Sequence, residues 1–553
     1  MNHRSRITDW LLLIAVPAFF FLWKLSAFGL VGADEPRYAQ VAREMLTRHD
    51  WVTPTLGGKP WLEKPPLYYW QAIIAYKMFG VSDWAARLPS VVDAFLLVIA
   101  TYLMVRRIRP GIELDSAVIL GTSAGVVGFA RAASMDMPLT AMFGVAMLAW
   151  YAWSETAQRK YLAAAYVFVS LAMLAKGPVA PFLAIVTIGL STALNRNLQL
   201  ARQSLWIPGI VLFCAITLPW YVLVQFRNPQ FFHEFIIEHN LARFGTNLYR
   251  HPEPFWYYVP VTLLGWLPWT ALVVFSLWLF SVKLSGICGQ RFKTPITEST
   301  ELHRDTSQRM CVQDNPAAER FHAFLLIWIF VIVVFFSISQ SKLPGYILPA
   351  IPAGAILCAE YSLSMLPNKA KRLRILIAGM HAFLAAALVF CALNVQSLVL
   401  QHKALWNRSV PILAAIVVGA IVAGLLIQSR FRALRLATLA PVIIALALAV
   451  RFGSQPLDEQ LSARPVANEL ANFETHQLPV AVFLVPREVE FGLAFYRNRV
   501  IPRYEFGQVP LGEHLVIAAQ GYPEGVAKLA GRQVKYLGNF APQRLDLFYV
   551  PAH

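Results

Sequence analysis

The sequence is poor in charged residues. Asp, Glu, Lys and Arg make up only 14% of its 553 residues, whereas hydrophobic residues make up 57%. Soluble globular domains carry about a quarter charged residues, so this composition excludes an ordinary soluble protein and indicates a polytopic membrane protein. The formal net charge of +17 is better explained by basic cytoplasmic loops than by nucleic-acid binding, because Lys and Arg gather on the inner side of membrane proteins.

Cysteine is also scarce, and its five positions form no metal or disulfide pattern. Three lie in apolar runs and two share one polar loop: Cys214, Cys358, Cys391, and Cys288 with Cys311. No CxxC pair and no Cys/His cluster occurs, so neither a zinc knuckle nor a disulfide framework is predicted. P-loop, GxGxxG and kinase signatures are missing as well, which excludes the common nucleotide-binding motifs.

What the sequence does contain is a series of long apolar runs. A helix needs about 20 residues to cross the hydrocarbon core, and shorter runs qualify here only with polar flanks. The first run is too long for a signal-peptide core and lacks a cleavage site, so it is predicted to remain as an anchor. About thirteen spans are predicted, which places the termini on opposite sides: Trp10–Leu30, Val91–Val105, Ala117–Phe129, Leu139–Trp153, Tyr161–Leu174, Val179–Leu194, Trp206–Phe226, Tyr257–Val282, Ala323–Ser337, Tyr346–Ser364, Ile375–Leu393, Pro411–Leu426 and Leu436–Val450.

The distribution of Lys and Arg orients these spans. With Arg4 and Arg6 inside, every cytoplasmic connection is rich in basic residues, namely 106–109, 159–160, 195–202, 283–320, 369–374 and 430–435. The opposite connections are poorer in them. The positive-inside rule therefore predicts a cytoplasmic N-terminus, periplasmic loops at 31–90 and 227–256 with interfacial helices, and a C-terminal tail outside.

One polar and aromatic stretch, from Asp34 to Tyr69, falls on the outer face directly after the first span. It combines charged and aromatic side chains, namely Asp34, Glu35, Arg37, Glu63 and Lys64 with Tyr38, Trp61, Tyr68 and Tyr69. Tyr38, Val41, Met45 and Leu46 recur at helical spacing and predict an amphipathic helix resting on the membrane. An outer-face reaction has no nucleotide supply, so an activated substrate is expected to arrive on a lipid.

The composition changes after Val450. Residues 1–453 are predicted to form the membrane domain, and residues 454–553 read as a small soluble α/β domain on the outer face, without a recognisable motif. Strands are predicted at Leu478–Val485, Leu515–Ala519, Val534–Leu537 and Leu545–Val550, and helices at Val466–Phe473 and Glu488–Tyr496.

Several motifs, spread in order through the membrane part, resemble those of GT-C membrane glycosyltransferases. They are Ala33-Asp34-Glu35-Pro36-Arg37-Tyr38, Glu63-Lys64-Pro65-Pro66, Ser134-Met135-Asp136, Ala175-Lys176-Gly177-Pro178, Glu238-His239, Arg243-Phe244, His251 with Pro254-Phe255-Trp256-Tyr257-Tyr258, and Lys342-Leu343-Pro344-Gly345-Tyr346. The chain is most similar to the bacterial branch that moves 4-amino-4-deoxy-L-arabinose from undecaprenyl phosphate to lipid A phosphates. The wider superfamily includes protein O-mannosyltransferases.

The resemblance implies a function. It implies an inner-membrane enzyme that takes a sugar from an undecaprenyl-phosphate donor and places it on lipid A of lipopolysaccharide by inverting single displacement, which would give resistance to polymyxin. Another polyprenyl-phosphate transferase, such as a protein O-mannosyltransferase, is the nearest alternative. A lipid flippase or transporter is the alternative of a different class, although no inverted repeat is evident and the charges sit at span ends. A monomer is expected.

Four residues are predicted to be catalytic: Asp34, Glu63, Lys64 and Asp136. For a hydroxyl acceptor Asp34 would act as general base; for a phosphate acceptor it would orient the phosphate, stabilise positive charge on the sugar, or pair with the ammonium of an amino sugar. The two prolines after Lys64 favour a stiff, extended segment, and Lys64 is expected to bind a phosphate oxygen as a point charge.

Seven further residues are predicted to bind substrate: Glu35, Arg37, Tyr38, Lys176, Arg243, Lys342 and Tyr346. Arg243 can grip a phosphate bidentately. The alternative for the lysines is snorkelling at span ends, and for the tyrosines it is an aromatic belt. Glu63 and His239 are an acceptable pair of zinc ligands, but two ligands do not define a site, so a divalent metal stays a possibility and no cofactor is required.

Overall fold

The computed structural model describes residues 3–242, 245, 253–278, 316–364, 371–394, 397, 407, 409–427, 431–474 and 476–552. The predicted substrate ligand Arg243 lies outside these residues, as do Cys288 and Cys311 and most of the predicted cytoplasmic connection 283–320.

The first part of the chain is almost entirely helical. Eleven α-helices precede a π-helix at Phe232–Ala242: α1 His3–Leu22, α2 Asp34–Thr47, α3 Leu67–Phe79, α4 Asp83–Ile108, α5 Glu113–Thr122, α6 Ala124–Ala130, α7 Asp136–Thr156, α8 Arg159–Lys176, α9 Val179–Leu194, α10 Leu198–Ser204 and α11 Ile207–Arg227. A short antiparallel hairpin, β1 Thr55–Leu56 and β2 Lys59–Pro60, lies between α2 and α3.

The second part of the membrane domain continues the same pattern. Its helices are Phe255–Tyr257, Tyr258–Gly265, Thr270–Trp278, Pro316–Ile338, Pro344–Ala350, Ile351–Ser364, Lys371–Leu393, Ser409–Ile427 and Phe431–Leu461. In the part of the chain that the structure describes, each of the thirteen predicted apolar runs lies at least partly on helix. Within the described residues, four helices are each long and apolar enough to cross a membrane, or up to six if two bent pairs are counted as single spans. The chain is thus membrane-embedded, and the total of about thirteen spans stays a prediction.

The first apolar run, predicted to extend to Leu30, stops being helical at Leu22. The reason is a cap from a distant residue. The Arg131 guanidinium donates hydrogen bonds to the carbonyl oxygens of Phe20 (3.2 Å), Trp23 (2.9 Å) and Lys24 (3.1 Å). A basic side chain that satisfies the last carbonyls of a helix favours its termination there, so the chain can turn toward α2.

The run predicted as one span at Tyr257–Val282 is broken. The helical segments Phe255–Gly265 and Thr270–Trp278 meet at an angle of 119°. Pro268 lies at the break, and a proline removes a backbone donor and clashes with the preceding turn. The run therefore forms a sharply bent pair rather than a straight helix.

The amphipathic helix predicted in the first outer loop is present as α2, but its apolar face packs on protein. Tyr38, Val41 and Met45 are buried in one cluster with Tyr68 of α3 and Phe495 of the C-terminal domain. The prediction that this face rests on the membrane is therefore wrong. Burying each large side chain contributes about 1.5–3 kcal/mol, which holds α2 firmly between α3 and the C-terminal domain.

Alkaline pH is expected to destabilise this cluster. Burial raises the pKa of Tyr38, Tyr68 and Tyr69, while tyrosines of the unfolded chain titrate near pH 10. The raised pKa stabilises the fold below about pH 10, and that stability is lost as the pH rises further because only the unfolded chain releases these protons. Melting temperatures between pH 8 and 11 should show the fall.

The Tyr69 hydroxyl allows a direct check of that prediction. It is buried and has no hydrogen-bond partner in the described part of the chain. Tyr69→Phe should therefore fold normally at pH 8 and lose less stability toward pH 11 than the wild type. The exposed Tyr522 offers a control, and a Tyr522→Phe variant that flattens the alkaline fall equally would contradict the explanation.

The C-terminal domain is α/β, as predicted. The strands are β3 Val480–Phe483, β4 His514–Ala519, β5 Lys535–Phe540 and β6 Leu545–Val550, and the helices are Arg464–Ala471, Arg487–Arg497 and Pro523–Ala530. The sheet has the order β3-β4-β6-β5, where β3 pairs with β4 in parallel and the other pairs are antiparallel. Helix Pro523–Ala530 was not predicted. The preceding membrane helix runs beyond residue 454 to Leu461.

Ion pairs and hydrogen bonds fasten this domain to the first outer loop. Arg464 bridges Asp458 (2.7 Å) and Asp83 (2.8 Å) at the start of α4. The Tyr496 hydroxyl donates to the same Asp83 (2.8 Å) and accepts from the Leu30 amide (2.8 Å). Helix Arg487–Arg497 is thereby held against α2 and forms a wall above the polar stretch.

Candidate active site

One group of predicted site residues meets at three helix ends. Lys176, the last residue of α8, forms an ion pair with Asp136, the first residue of α7. Its ammonium also lies 4.4 Å from the ring centroid of Tyr346, a cation–π contact. Gly177 follows Lys176 with φ +94°, a backbone conformation that side-chain-bearing residues rarely adopt. The helix therefore stops where Lys176 can face the carboxylate.

Gly345 lets the loop that carries Tyr346 approach this pair. A Cβ atom at position 345 would lie 2.5 Å from the Asp136 carboxyl carbon. Gly345→Ala should therefore displace the carboxylate and lower the rate of the sugar transfer that the sequence resemblance implies by about a hundredfold, the effect expected of a 1 Å misplacement. The measurement is the initial rate of the purified variant. Gly379→Ala is the control, because nothing lies within 4 Å of its Cβ; equal rates for the two variants would contradict this reading.

A cavity of about 330 Å³, here called the lysine cavity, opens beside that group. Its apolar lining residues are Pro178, Val179, Phe182, Phe335 and Phe336. Its polar lining residues are Lys64, Lys176, His239, Asn240, Ser339, Ser341 and Tyr346. Such a cavity can hold an anion that is attached to an apolar chain.

Arg37 organises a second group of predicted residues. Its guanidinium pairs with the Asp34 carboxylate and lies 4.0 Å from Glu63. It also lies 5.2 Å from the ring centroids of both Tyr38 and Trp61. Burial alone would lower its pKa, but Tyr38 and the two carboxylates raise it overall. Arg37 is therefore a permanent cation that fixes one carboxylate on each side.

Tyr38 is a neutral hydrogen-bonding group in this site. Burial, and then the charge of Asp34, raise the pKa of its phenol. Its hydroxyl oxygen lies 3.5 Å from an Arg37 nitrogen. A phenol with a raised pKa can donate or accept a hydrogen bond but is a poor source of a phenolate base.

Glu35 does not face this site, which corrects its prediction as a substrate ligand. It is buried and bonds twice to the fully buried Arg87, at 2.7 and 3.1 Å. It also accepts hydrogen bonds from the amides of Val31 (2.7 Å) and Ala133 (2.6 Å). All its acceptor capacity is used to join the first outer loop to α4 and α7, so its role is structural.

Lys342 is likewise directed inward. It is buried, and its ammonium donates to the Ser339 carbonyl oxygen at 2.6 Å. Ser339 and Ser341 line the lysine cavity, but Lys342 is not among its lining residues. This contact shapes the turn that carries the serines. The charge of Lys342 is therefore not brought to the cavity, which corrects the prediction that Lys342 binds substrate.

The predicted metal ligands are neighbours but do not complete a site. His239 Nε2 lies 3.7 Å from Glu63 Oε1. Zinc needs at least three protein ligands in catalytic sites, and the described residues contain no group of three His, Cys, Asp or Glu side chains that could hold a metal. A metal at this pair stays a sequence-based prediction, and the chemistry derived below uses none.

Two residues escaped sequence reasoning. Phe491 of the C-terminal domain lies 5.8 Å from the Arg37 guanidinium and completes its aromatic surroundings; nothing local in the sequence signals this contact. Arg87 could have been suspected from the sequence, because a single arginine close to a predicted span needs a carboxylate partner when it is buried.

A family model described as dolichyl-phosphate-mannose-protein mannosyltransferase matches residues 10–235, which is less than half of the chain. An undecaprenyl phosphate-aminoarabinose transferase of Serratia proteamaculans is 31% identical over 365 residues, which cover 64% of this chain and 59% of that protein. One of the same description from Aeromonas salmonicida is 26% identical over 540 residues, 91% of each chain.

A solved structure matches almost the whole chain. The crystal structure of ArnT from Cupriavidus metallidurans bound to undecaprenyl phosphate aligns with a TM-score of 0.73 and 22% identity, covering 99% of this chain and 98% of that one. At this identity the match shows the fold. The GT-C architecture predicted from the sequence, with its small C-terminal α/β domain, is confirmed, and so is the resemblance to this branch of transferases.

Proposed function

We propose that this chain, which resembles the aminoarabinose transferases in sequence and fold, transfers 4-amino-4-deoxy-L-arabinose from undecaprenyl phosphate to phosphate groups of lipid A. The reaction would take place at the periplasmic face of a bacterial inner membrane, with the N-terminus inside and the C-terminal domain outside. The modified lipid A would carry less negative charge and bind polymyxin and other cationic peptides less strongly.

The lysine cavity is the observation that carries this proposal. Its apolar lining residues suit the first isoprene units of a polyprenyl chain, and Lys64 and Lys176, which also line it, suit the attached phosphate. Lysine is a common phosphate ligand that acts as a point charge. The ArnT structure that shares this fold is described as bound to undecaprenyl phosphate, which supports the same occupant here.

The reaction follows from the charges around this cavity. An oxygen of the acceptor phosphate attacks the anomeric carbon, the bond from that carbon to the donor phosphate oxygen breaks, and undecaprenyl phosphate leaves with the electron pair. A phosphate monoester is largely ionised at neutral pH, so the acceptor needs no general base. Lys64 and Lys176 compensate the charge that develops on the leaving phosphate, which makes a general acid unnecessary.

The carboxylates serve the sugar in this scheme. Asp34 is about half exposed, with 54% of its side chain accessible, and both it and Glu63 are held by Arg37. The anomeric carbon becomes positively charged in an oxocarbenium-like transition state. Fixed carboxylates beside it stabilise that charge, and a carboxylate can also pair with the ammonium group of the sugar.

Loss and return of the gene test the proposal in cells. Mass spectra of lipid A from a strain with an intact donor pathway should show aminoarabinose-modified species that vanish on deletion of the gene and return with a plasmid copy. Polymyxin sensitivity should follow the same order. An unchanged lipid A profile in the deletion strain would rule out aminoarabinose transfer to lipid A as the function of this protein.

Protein O-mannosylation is the second candidate, favoured by the match of residues 10–235 to the mannosyltransferase family model. It would use the same donor cavity with a hydroxyl acceptor, and Asp34 would then act as general base. Glycosylated secreted protein in the wild type, together with unmodified lipid A, would favour this alternative.

A further inference from the structure

A second cavity lies between the first outer loop and the C-terminal domain. It measures about 820 Å³ and is here called the interdomain cavity. The hairpin β1–β2 and α2 contribute one side, and helix Arg487–Arg497 with the segment 499–508 contributes the other. Its volume lies within the range of ligand sites in proteins.

Several charges in the interdomain cavity are already compensated. Arg503 bonds to Glu490 at 2.5 Å and to Glu505 at 2.7 Å. The Glu44 carboxylate accepts the amides of Gly57 (2.8 Å) and Gly58 (3.1 Å) in the hairpin turn. Arg503 is thereby fully compensated, whereas Glu44 stays a carboxylate that holds the hairpin turn in place.

Three cations in the same cavity remain available. Lys59, Arg487 and Arg499 line it and have exposed side chains, for which the described ranges of the chain contain no ion-pair partner. Two of them come from the C-terminal domain and one from the hairpin. Because the described residues offer these three cations no ion-pair partner, their charges can be used to bind an anionic ligand. The carboxylates of Glu44, Glu63 and Glu490 also line the cavity, so the unpaired cations, and not the net charge of the cavity, favour such a ligand.

We propose that the interdomain cavity binds a phosphate on the saccharide headgroup of the acceptor lipid, with Arg487 and Arg499 as its main ligands and Lys59 in support. The inference rests on the proposed function, since it assigns the acceptor to a place distinct from the donor cavity. Guanidinium groups bind phosphate oxygens through paired hydrogen bonds. The C-terminal domain is thereby part of the acceptor site.

The two cavities share a boundary where the substrates can meet. His239 lines both of them, and Glu63, 3.7 Å from His239, lines the interdomain cavity. The acceptor headgroup would enter from the outer side and the polyprenyl donor from the membrane side. Two lipid-borne anions thus reach the carboxylates of the first outer loop without competing for the same lysines.

Steady-state kinetics of the purified full chain test this assignment. In the double variant Arg487→Gln/Arg499→Gln the KM for lipid A should rise about tenfold or more, since hydrogen bonds to charged groups are worth roughly one such factor each. The KM for the donor and kcat should stay unchanged. The acceptor KM of the wild type should rise with salt more steeply than that of the variant.

Matched variants separate binding from general charge loss. Lys528→Gln/Lys535→Gln removes two exposed cations from the same domain outside the cavity and should leave both KM values unchanged. Arg487→Lys/Arg499→Lys should restore part of the acceptor affinity. An unchanged acceptor KM in the glutamine variant, or an equal rise in the Lys528/Lys535 control, would overturn the assignment.

A binding measurement keeps the assignment separate from the proposed function. Flotation of wild-type and Arg487→Gln/Arg499→Gln protein with lipid A vesicles should show weaker binding of the variant, and vesicles of phosphatidylglycerol should bind both alike. Equal loss on both vesicles would make the cavity a general anionic-lipid site and overturn its assignment to the acceptor. A wild type that binds lipid A but transfers nothing would contradict the proposed function alone.

Discussion

Lys176→Met should lower aminoarabinose transfer by about 10²–10³-fold, the loss seen when a preorganised group that stabilises developing charge is removed. Lys176 lines the lysine cavity, pairs with Asp136 and lies over Tyr346. In the proposed reaction its ammonium stabilises the departing phosphate, so kcat should fall more than donor affinity. Initial rates with purified protein and saturating donor measure the effect.

Lys77 provides the matched control for this experiment. It also lies in the last turn of a helix, with its ammonium 5.0 Å from the ring centroid of Trp51, but it does not line the lysine cavity. Lys77→Met should keep wild-type rates. A Lys176→Met enzyme with near-normal kcat and an unchanged melting temperature would show that this lysine does not assist the leaving group.

The adjacent carboxylates Asp34 and Glu35 should respond to amide substitution in opposite ways. Glu35→Gln leaves the fully buried Arg87 without its counter-charge, and breaking such a pair costs about 3–5 kcal/mol. The yield of folded protein and its melting temperature in detergent should fall sharply. Asp34→Asn, at a half-exposed position, should leave the melting temperature unchanged and lower transfer at least about a hundredfold.

The melting temperature and the transfer rate, measured for both Glu35→Gln and Asp34→Asn, decide whether each carboxylate has a structural or a chemical role. Arg87→Met should resemble Glu35→Gln, because it removes the other half of the same ion pair. A Glu35→Gln protein that folds normally and loses only activity would return Glu35 to the substrate site. An Asp34→Asn protein that transfers aminoarabinose at the wild-type rate would show that Asp34 takes no part in the reaction.

Apolar runs were sufficient to predict a polytopic helical membrane protein with an α/β tail and most of its elements, whereas the GT-C type was implied by the resemblance of the motifs. Within the described residues, every predicted apolar run lies at least partly on helix, and Val179–Leu194 has the predicted bounds. In the C-terminal domain, strand β6 begins and ends at the predicted residues, Leu545 and Val550. Such runs carry their own signal, because burial in lipid or in a sheet depends on residues close together in the chain.

The errors share a different origin, which is contact between distant residues. The first helix ends early because Arg131 caps it, and α2 packs on protein because Phe495 of the C-terminal domain covers its apolar face. The same applies to the site. Sequence motifs brought forward Lys64, Lys176 and Asp136, but the burial of Glu35 with Arg87 and the approach of Phe491 to Arg37 depend on tertiary packing that no local pattern contains.

The decisive measurement is transfer by the purified chain with defined lipids. Wild-type protein, undecaprenyl phosphate-linked aminoarabinose and lipid A are combined, and products are identified by mass spectrometry, with Lys176→Met and Lys77→Met proteins in parallel. The account predicts aminoarabinose on a lipid A phosphate and free undecaprenyl phosphate with the wild type and Lys77→Met, and almost none with Lys176→Met. Unmodified lipid A with the wild type, or equal product from all three proteins, would contradict it.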